Sequence, residues 1–113
     1  MAFRITPFTQ TLSAAGAGIP VAYVPVERNQ PAPSILVKLS AGAVLTYNIE
    51  VTGDDPTATG YNPATGNWFP FPGLEALTAS QVGSLGALVS QVRLNITAYT
   101  SGKVTWQFVQ AVP

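Results

Sequence analysis

Between Gln91 and Gln110 the chain reads QVRLNITAYTSGKVTWQFVQ, with an apolar side chain at almost every second position. Val92, Leu94, Ile96 and Ala98 alternate with Arg93, Asn95, Thr97 and Tyr99; Val104, Trp106 and Phe108 alternate with Thr105 and Gln107. A period of two belongs to a strand with one buried face, so the stretch predicts two such strands. Paired as a hairpin, their inward rows meet only if partner numbers sum to an even value. A three-residue loop, Thr100-Ser101-Gly102, meets that condition. It sets Tyr99 opposite Lys103, Ala98 opposite Val104, Ile96 opposite Trp106 and Leu94 opposite Phe108, with Gly102 at the left-handed position of the turn. Val92 with Gln110 then breaks the pattern and Val109 falls outward. Either the buried face ends at Leu94 and Phe108, or a bulge near Val109 shifts the register. A lone hairpin cannot bury this row, so other strands have to cover it.

The rest of the chain offers them. Ile35, Val37 and Leu39 share one face of a strand at Ser34 to Leu39, with Leu36 and Lys38 on the other. Ser40-Ala41-Gly42 turns into a second long strand, Val44 to Val51, where Leu45, Tyr47, Ile49 and Val51 share a face. A short strand is expected within Ile19 to Val26, and another near Leu85 to Val89 after a turn of helix or loop at Leu74 to Thr78. FRITPFTQTL has strand composition but contains Pro7, which cannot donate to a ladder. Residues 1–12 are therefore expected as an edge strand or as an extended arm laid on another surface. Thr52 to Gly66 is rich in Gly, Asp, Asn, Pro and Thr and predicts the longest loop, a length at which loops are often functional. Short strands, glycine and proline turns and no convincing helix point to one all-β domain over residues 1–113. An antiparallel β-sandwich with jelly-roll connections is expected first, with an immunoglobulin-like order as the alternative.

Composition narrows function. Charged residues make up 9% of the 113 residues and hydrophobic residues 47%, with formal net charge zero. No basic patch marks a nucleic-acid or membrane-surface partner. With no cysteine and no histidine there are no disulfides, thiolate or imidazole metal ligands, or His-based dyads. MAFRITPF holds no signal-like apolar run, and no stretch is long and apolar enough to span a bilayer, so synthesis in the cytosol without export is expected.

Three groups compete as sites. Asp54-Asp55 near Glu50 offers oxygens for a hard cation, but Asp-Asp-Pro is more often turn chemistry. Glu50, Glu75 and the Asp pair contain the groups of a glycosidase without a motif for one, and no catalytic residue, cofactor or metal is expected. Asn95-Ile96-Thr97 matches a glycosylation pattern by coincidence, its middle residue pointing inward. Tyr61, Trp68, Phe69 and Phe71 form either an exposed aromatic platform or a plug closing one end of the sandwich. Trp106 is core by its register.

LTYNIEVTGDDPTATGYNP, GNWFPFPGLEALTAS and VRLNITAYTSGKVTWQFVQ together resemble the small capsid decoration, or cement, proteins of tailed bacteriophages, over about the last two thirds of the chain. The resemblance rests on the polar Asp-Asp loop, the aromatic segment and the final strands. It implies a structural virion protein, not an enzyme. Such a protein is made in the host cytoplasm, bound to the capsid exterior, in contact with the major capsid protein and with its own copies as a dimer or trimer. Phe3, Arg4, Ile5 and Phe8 of the arm, Arg28 and Gln30 of the Glu27 to Ser34 loop, and Tyr61, Trp68, Phe69 and Phe71 are the expected contacts. The alternative is a carbohydrate- or receptor-binding β module of a fibre or surface structure, with Trp68, Phe69 and Tyr61 stacking on sugar and Asp54 and Asp55 hydrogen bonding to it.

Overall fold

A computed structural model describes residues 4–24, 32–86 and 89–112. They form nine strands: β1 (Arg4–Leu12), β2 (Gly16–Ala17), β3 (Val21–Ala22), β4 (Ser34–Leu39), β5 (Val44–Thr52), β6 (Phe69–Pro70), β7 (Gln81–Ser84), β8 (Gln91–Ser101) and β9 (Val104–Val112). One sheet runs β1-β9-β4-β7 and the other β2-β8-β5-β6, with β3 also beside β8. Every pairing is antiparallel. Successive strands cross repeatedly from sheet to sheet, and the last strand returns to lie between the first and the fourth. That is jelly-roll order, so the first expected sandwich holds and the immunoglobulin-like order does not.

The expected hairpin is corrected. β8 and β9 belong to different sheets, β8 pairing with β5 and β9 with β1 and β4. Two rows that alternate in phase can meet side by side in one sheet or face to face across a core, and alternation does not distinguish the two. Here the chain arches from one wall to the other at Gly102 and Lys103. Gly102 has φ +94°, and a Cβ there would lie 2.5 Å from that of Ala43, so both backbone and space exclude a side chain. The Ser40 hydroxyl oxygen accepts from the Lys103 amide at 3.0 Å, and the Ser40 amide donates back to the Lys103 carbonyl at 2.9 Å.

Between the walls lie Ile35, Val37, Leu45, Tyr47, Ile49, Val92, Leu94, Ile96, Val104, Trp106 and Phe108. The buried row does not stop at Leu94 and Phe108. Val92 is fully buried, and Gln110 is buried with its amide satisfied, accepting from the Val24 N–H and donating to the Ala22 carbonyl, each at 3.0 Å. Ala98 departs from expectation. The partners Tyr47↔Ile96 and Thr46↔Ala98 leave Thr97 as an extra residue, and a further shift leaves Thr100 unpaired. The first bulge turns Ala98 to the outer, exposed side.

Of the two readings of the N-terminal segment, residues 4–12 take that of an edge strand: β1 pairs with β9 along its whole length. Pro7 is tolerated because β1 is at the edge. Phe8 sets its ring edge-on to Trp106 at 5.6 Å between centroids, and Gln10 Oε1 accepts from the indole N–H at 3.2 Å. The strand expected near Leu85 to Val89 lies earlier, at β7. Gly83 hides it from propensity, yet glycine is what fits, since a Cβ there would come within 2.8 Å of the Leu74 side chain. Residues 87 and 88 lie outside the described residues.

Candidate functional site

Alternation fixes what each sheet shows to the outside, and the two outer faces differ. On the sheet β2-β8-β5-β6, Glu50 and Arg93 are cross-strand partners, as are Asn48 and Asn95. Arg93 Nε donates to Glu50 Oε1 at 2.8 Å and Asn95 Nδ2 donates to Glu50 Oε2 at 3.0 Å, so both carboxylate oxygens are used. Loop 53–68 folds over this group. Trp68 places its ring 4.1 Å from the Arg93 guanidinium carbon. The Pro63 carbonyl accepts from the Trp68 indole at 2.9 Å and from Arg93 Nη1 at 3.3 Å. The result is a nearly dry ion pair, its side chains 13% and 10% exposed. Low dielectric strengthens such a pair, but desolvating it is costly, so each hydrogen bond that completes it matters.

The loop that makes this roof is itself stitched. Asp54 accepts from the Asn67 amide at 2.8 Å and from Asn67 Nδ2 at 3.1 Å. These bonds, the backbone one foremost, hold the Asp54 carboxyl below its usual pKa. Asp55 accepts from the Thr57 hydroxyl at 2.7 Å and from its amide at 2.9 Å, which likewise lowers its pKa. Asn62 caps the short 3-10 turn Pro63–Thr65 through its side-chain oxygen. The Tyr61 hydroxyl donates to the Gln91 side chain. Among the described residues no group of three Asp or Glu is placed to hold a metal ion. Among the described residues the carboxylates of Glu50, Asp54 and Asp55 are engaged within the fold, and Glu75 is exposed.

Among the described residues, no loop covers the outer face of the sheet β1-β9-β4-β7 in this way. Its rows, read across the strands, are Pro7, Val109, Ser34 and Ser84; then Thr9, Gln107, Leu36 and Val82; then Thr11, Thr105 and Lys38. Ile5 stands at one end of β1, 74% exposed, and Val82 on the far edge is 68% exposed. Thr11 and Thr105 join hydroxyls at 3.0 Å, and Gln107 Nε2 donates to the Thr9 hydroxyl at 3.2 Å. An open groove of about 590 Å³ runs along Leu36, Lys38, Ser80, Val82, Thr105 and Gln107.

The expected contacts therefore separate. Phe69 on the edge strand β6 is 61% exposed and Ile5 is exposed on the unroofed face. Phe8 and Phe71 pack against the core, Trp68 belongs to the roof, and Tyr61 is half-buried against Gln91, so the aromatic cluster is not one platform. Arg4 opens β1; its side chain, with Phe3, Arg28 and Gln30, lies outside the described residues. Sequence reasoning missed Val82, Leu36 and Val109 as a surface. The signal was present in Leu36 and Val109, apolar residues on the outward phase of their strands.

No protein-family model matches the chain, and no curated protein matches it.

Proposed function

We propose that the chain is a structural virion protein, a decoration or cement protein that binds the outside of a tailed-phage head and clamps adjacent major capsid subunits. The reading starts from the resemblance of residues 45–63, 66–80 and 92–110 to such proteins. The observation that carries it further is the use of polar groups. The carboxylates of Glu50, Asp54 and Asp55 are turned into scaffold, while large apolar side chains such as Ile5, Phe69 and Val82 are left to water. A rigid sandwich with spent polar groups and bare apolar edges suits contact and not turnover. Phe69, beside Pro70 on β6, is the side chain for the capsid subunit, and the described part of the N-terminal segment contributes Ile5.

The carbohydrate-binding alternative draws less support. One face of the Trp68 ring is held by Arg93, and Asp54 and Asp55 already have partners, so stacking on sugar would have to displace bonds of the roof. The test is rebinding. Heads stripped of the protein should take it back in many copies and regain resistance to heat, with Phe69→Ala reducing occupancy. Failure to rebind, with glycan binding lost on Trp68→Ala, would support the alternative instead.

A further inference from the structure

The edges of the two sheets are guarded unequally. β2 and β3 are two residues each, separated by Gly18-Ile19-Pro20, and β6 is two residues long and ends in Pro70. In an antiparallel ladder each residue turns its N–H and C=O to the same side, and successive residues alternate. The Leu85 amide donates inward to the Pro33 carbonyl at 2.9 Å, in register with the pairing of β7 on β4. Gly83 and Gln81 therefore bond β4, and Val82 and Ser84 turn their backbone groups to the free edge. The same count, carried through β4 and β9, turns Pro7 to the free edge of β1, where its missing N–H interrupts any added ladder.

β7, Gln81–Ser84, carries no proline, no break and no charge. Its Val82 side chain is 68% exposed, and Ser84 is exposed. The Val82 carbonyl is met by Gln81 Nε2 at 3.5 Å, the outer limit of a hydrogen bond, which an incoming backbone N–H would improve on. Beside this edge runs the open groove along Leu36, Lys38, Ser80 and Val82. One step beyond Val37↔Gln81 the register sets Lys38 level with Ser80, whose hydroxyl oxygen accepts from the Leu39 amide at 3.0 Å. Lys38 is exposed and has no ion-pair partner among the described residues.

We propose that β7 takes an extended segment of a partner protein as a fifth strand of its sheet, with an apolar side chain beside Val82 and a carboxylate within reach of Lys38. Alternating outward donors and acceptors are answered by another extended backbone, and the adjoining side chains select its sequence. A second copy is a poor occupant, because the outer rows of its own sheet bring a lysine and no acid. The inference goes beyond the virion role and does not rest on it.

The test is an amide NMR titration of the isotope-labelled full chain with a short synthetic peptide that alternates valine and threonine and carries one glutamate. Saturable shifts of the Val82 and Ser84 amides are expected, with the Ile5 and Phe69 amides unmoved. Ser84→Pro removes an outward donor and no bond to β4, and should weaken binding about tenfold. Methylating the amide nitrogens of the peptide should abolish binding without touching the protein. Lys38→Glu should weaken it about threefold and favour a peptide with lysine in place of glutamate. Ile5→Ala, exposed on the opposite edge, should leave it unchanged. No saturable shift, shifts confined to other strands, undiminished binding of the methylated peptide or by folded Ser84→Pro, or pairing of two copies through β7 without peptide would overturn the proposal.

Discussion

One sheet of the sandwich carries Glu50, Arg93 and Asn95 on its outer face and covers them with loop 53–68; the other carries threonine, glutamine, a few aliphatic side chains and Lys38, with no loop over them among the described residues. The difference follows from desolvation. An ion pair taken out of water has to be completed by further bonds, and Trp68, Pro63 and Asn95 complete this one within the chain. A face with one charged side chain is cheaper to dehydrate than an unfinished ion pair. The chain finishes the expensive face itself and, among the described residues, leaves the inexpensive one open.

The largest expected effect lies under the roof. Arg93→Ala leaves Glu50 buried without its counter-charge and should cost about 3–5 kcal/mol in urea unfolding. Replacing both residues by apolar ones should cost much less, because no unpaired charge remains. Equal losses from the single and double variants would remove the ion pair from the account of the roof.

The core shared by both sheets should show itself at high pH. Tyr47 is fully buried, its hydroxyl donating to the Ala79 carbonyl at 2.8 Å, and burial raises its pKa from 10.0 to about 12. The unfolded chain therefore loses this proton first. Stability is intact below pH 10 and should fall by roughly 2–3 kcal/mol as the pH approaches 12. In Tyr47→Phe that limb of the stability profile should flatten.

The arch joining the two walls comes next. Gly102→Ala should cost about 1–3 kcal/mol, since it meets both a left-handed backbone and the Ala43 side chain. Gly42→Ala, with φ +73° but open space around it, should cost less. Thermal unfolding of the pair separates crowding from backbone strain.

Much of this was legible in the chain, for reasons that differ by element. β4, β5, β8 and β9 alternate strongly because each has one wet and one dry side, and Ile35, Val37, Leu45, Ile49, Leu94 and Trp106 are core as their phase predicts. Which sheet each strand joins is not a local property. A hairpin and an arch place the same residues inward, so the pairing of Ile96 with Trp106 failed although both are buried. The bulge at Thr97 left no composition signal, and β7 was masked by Gly83. Glu50 and Arg93 are 43 positions apart and nothing near either one names the other. The long loop was visible, but not that Trp68 would turn back under it to cover a charge.

Smaller effects distinguish the two outer faces by titration. The lowered pKa of Asp54 means that its bonds to Asn67 are fully present above the ordinary aspartate value of 3.8 and are lost as pH falls through the lower folded value. Exchange of the Asn67 amide should accelerate there, while Val82→Lys at neutral pH should alter the stability of a single copy by no more than about 0.5 kcal/mol. Rows of the other sheet's outer face contain no acidic side chain, so amide exchange across those strands should be indifferent to the same acid step. Acceleration on both faces would mean that they are coupled.

The central claim, a structural role on the head, is tested most directly by a cryo-electron reconstruction of the native particle. Many copies of this jelly roll are expected on the capsid exterior, bridging adjacent major capsid subunits with Phe69 against the shell. A few copies confined to a fibre or tail, or none on the particle, would contradict it.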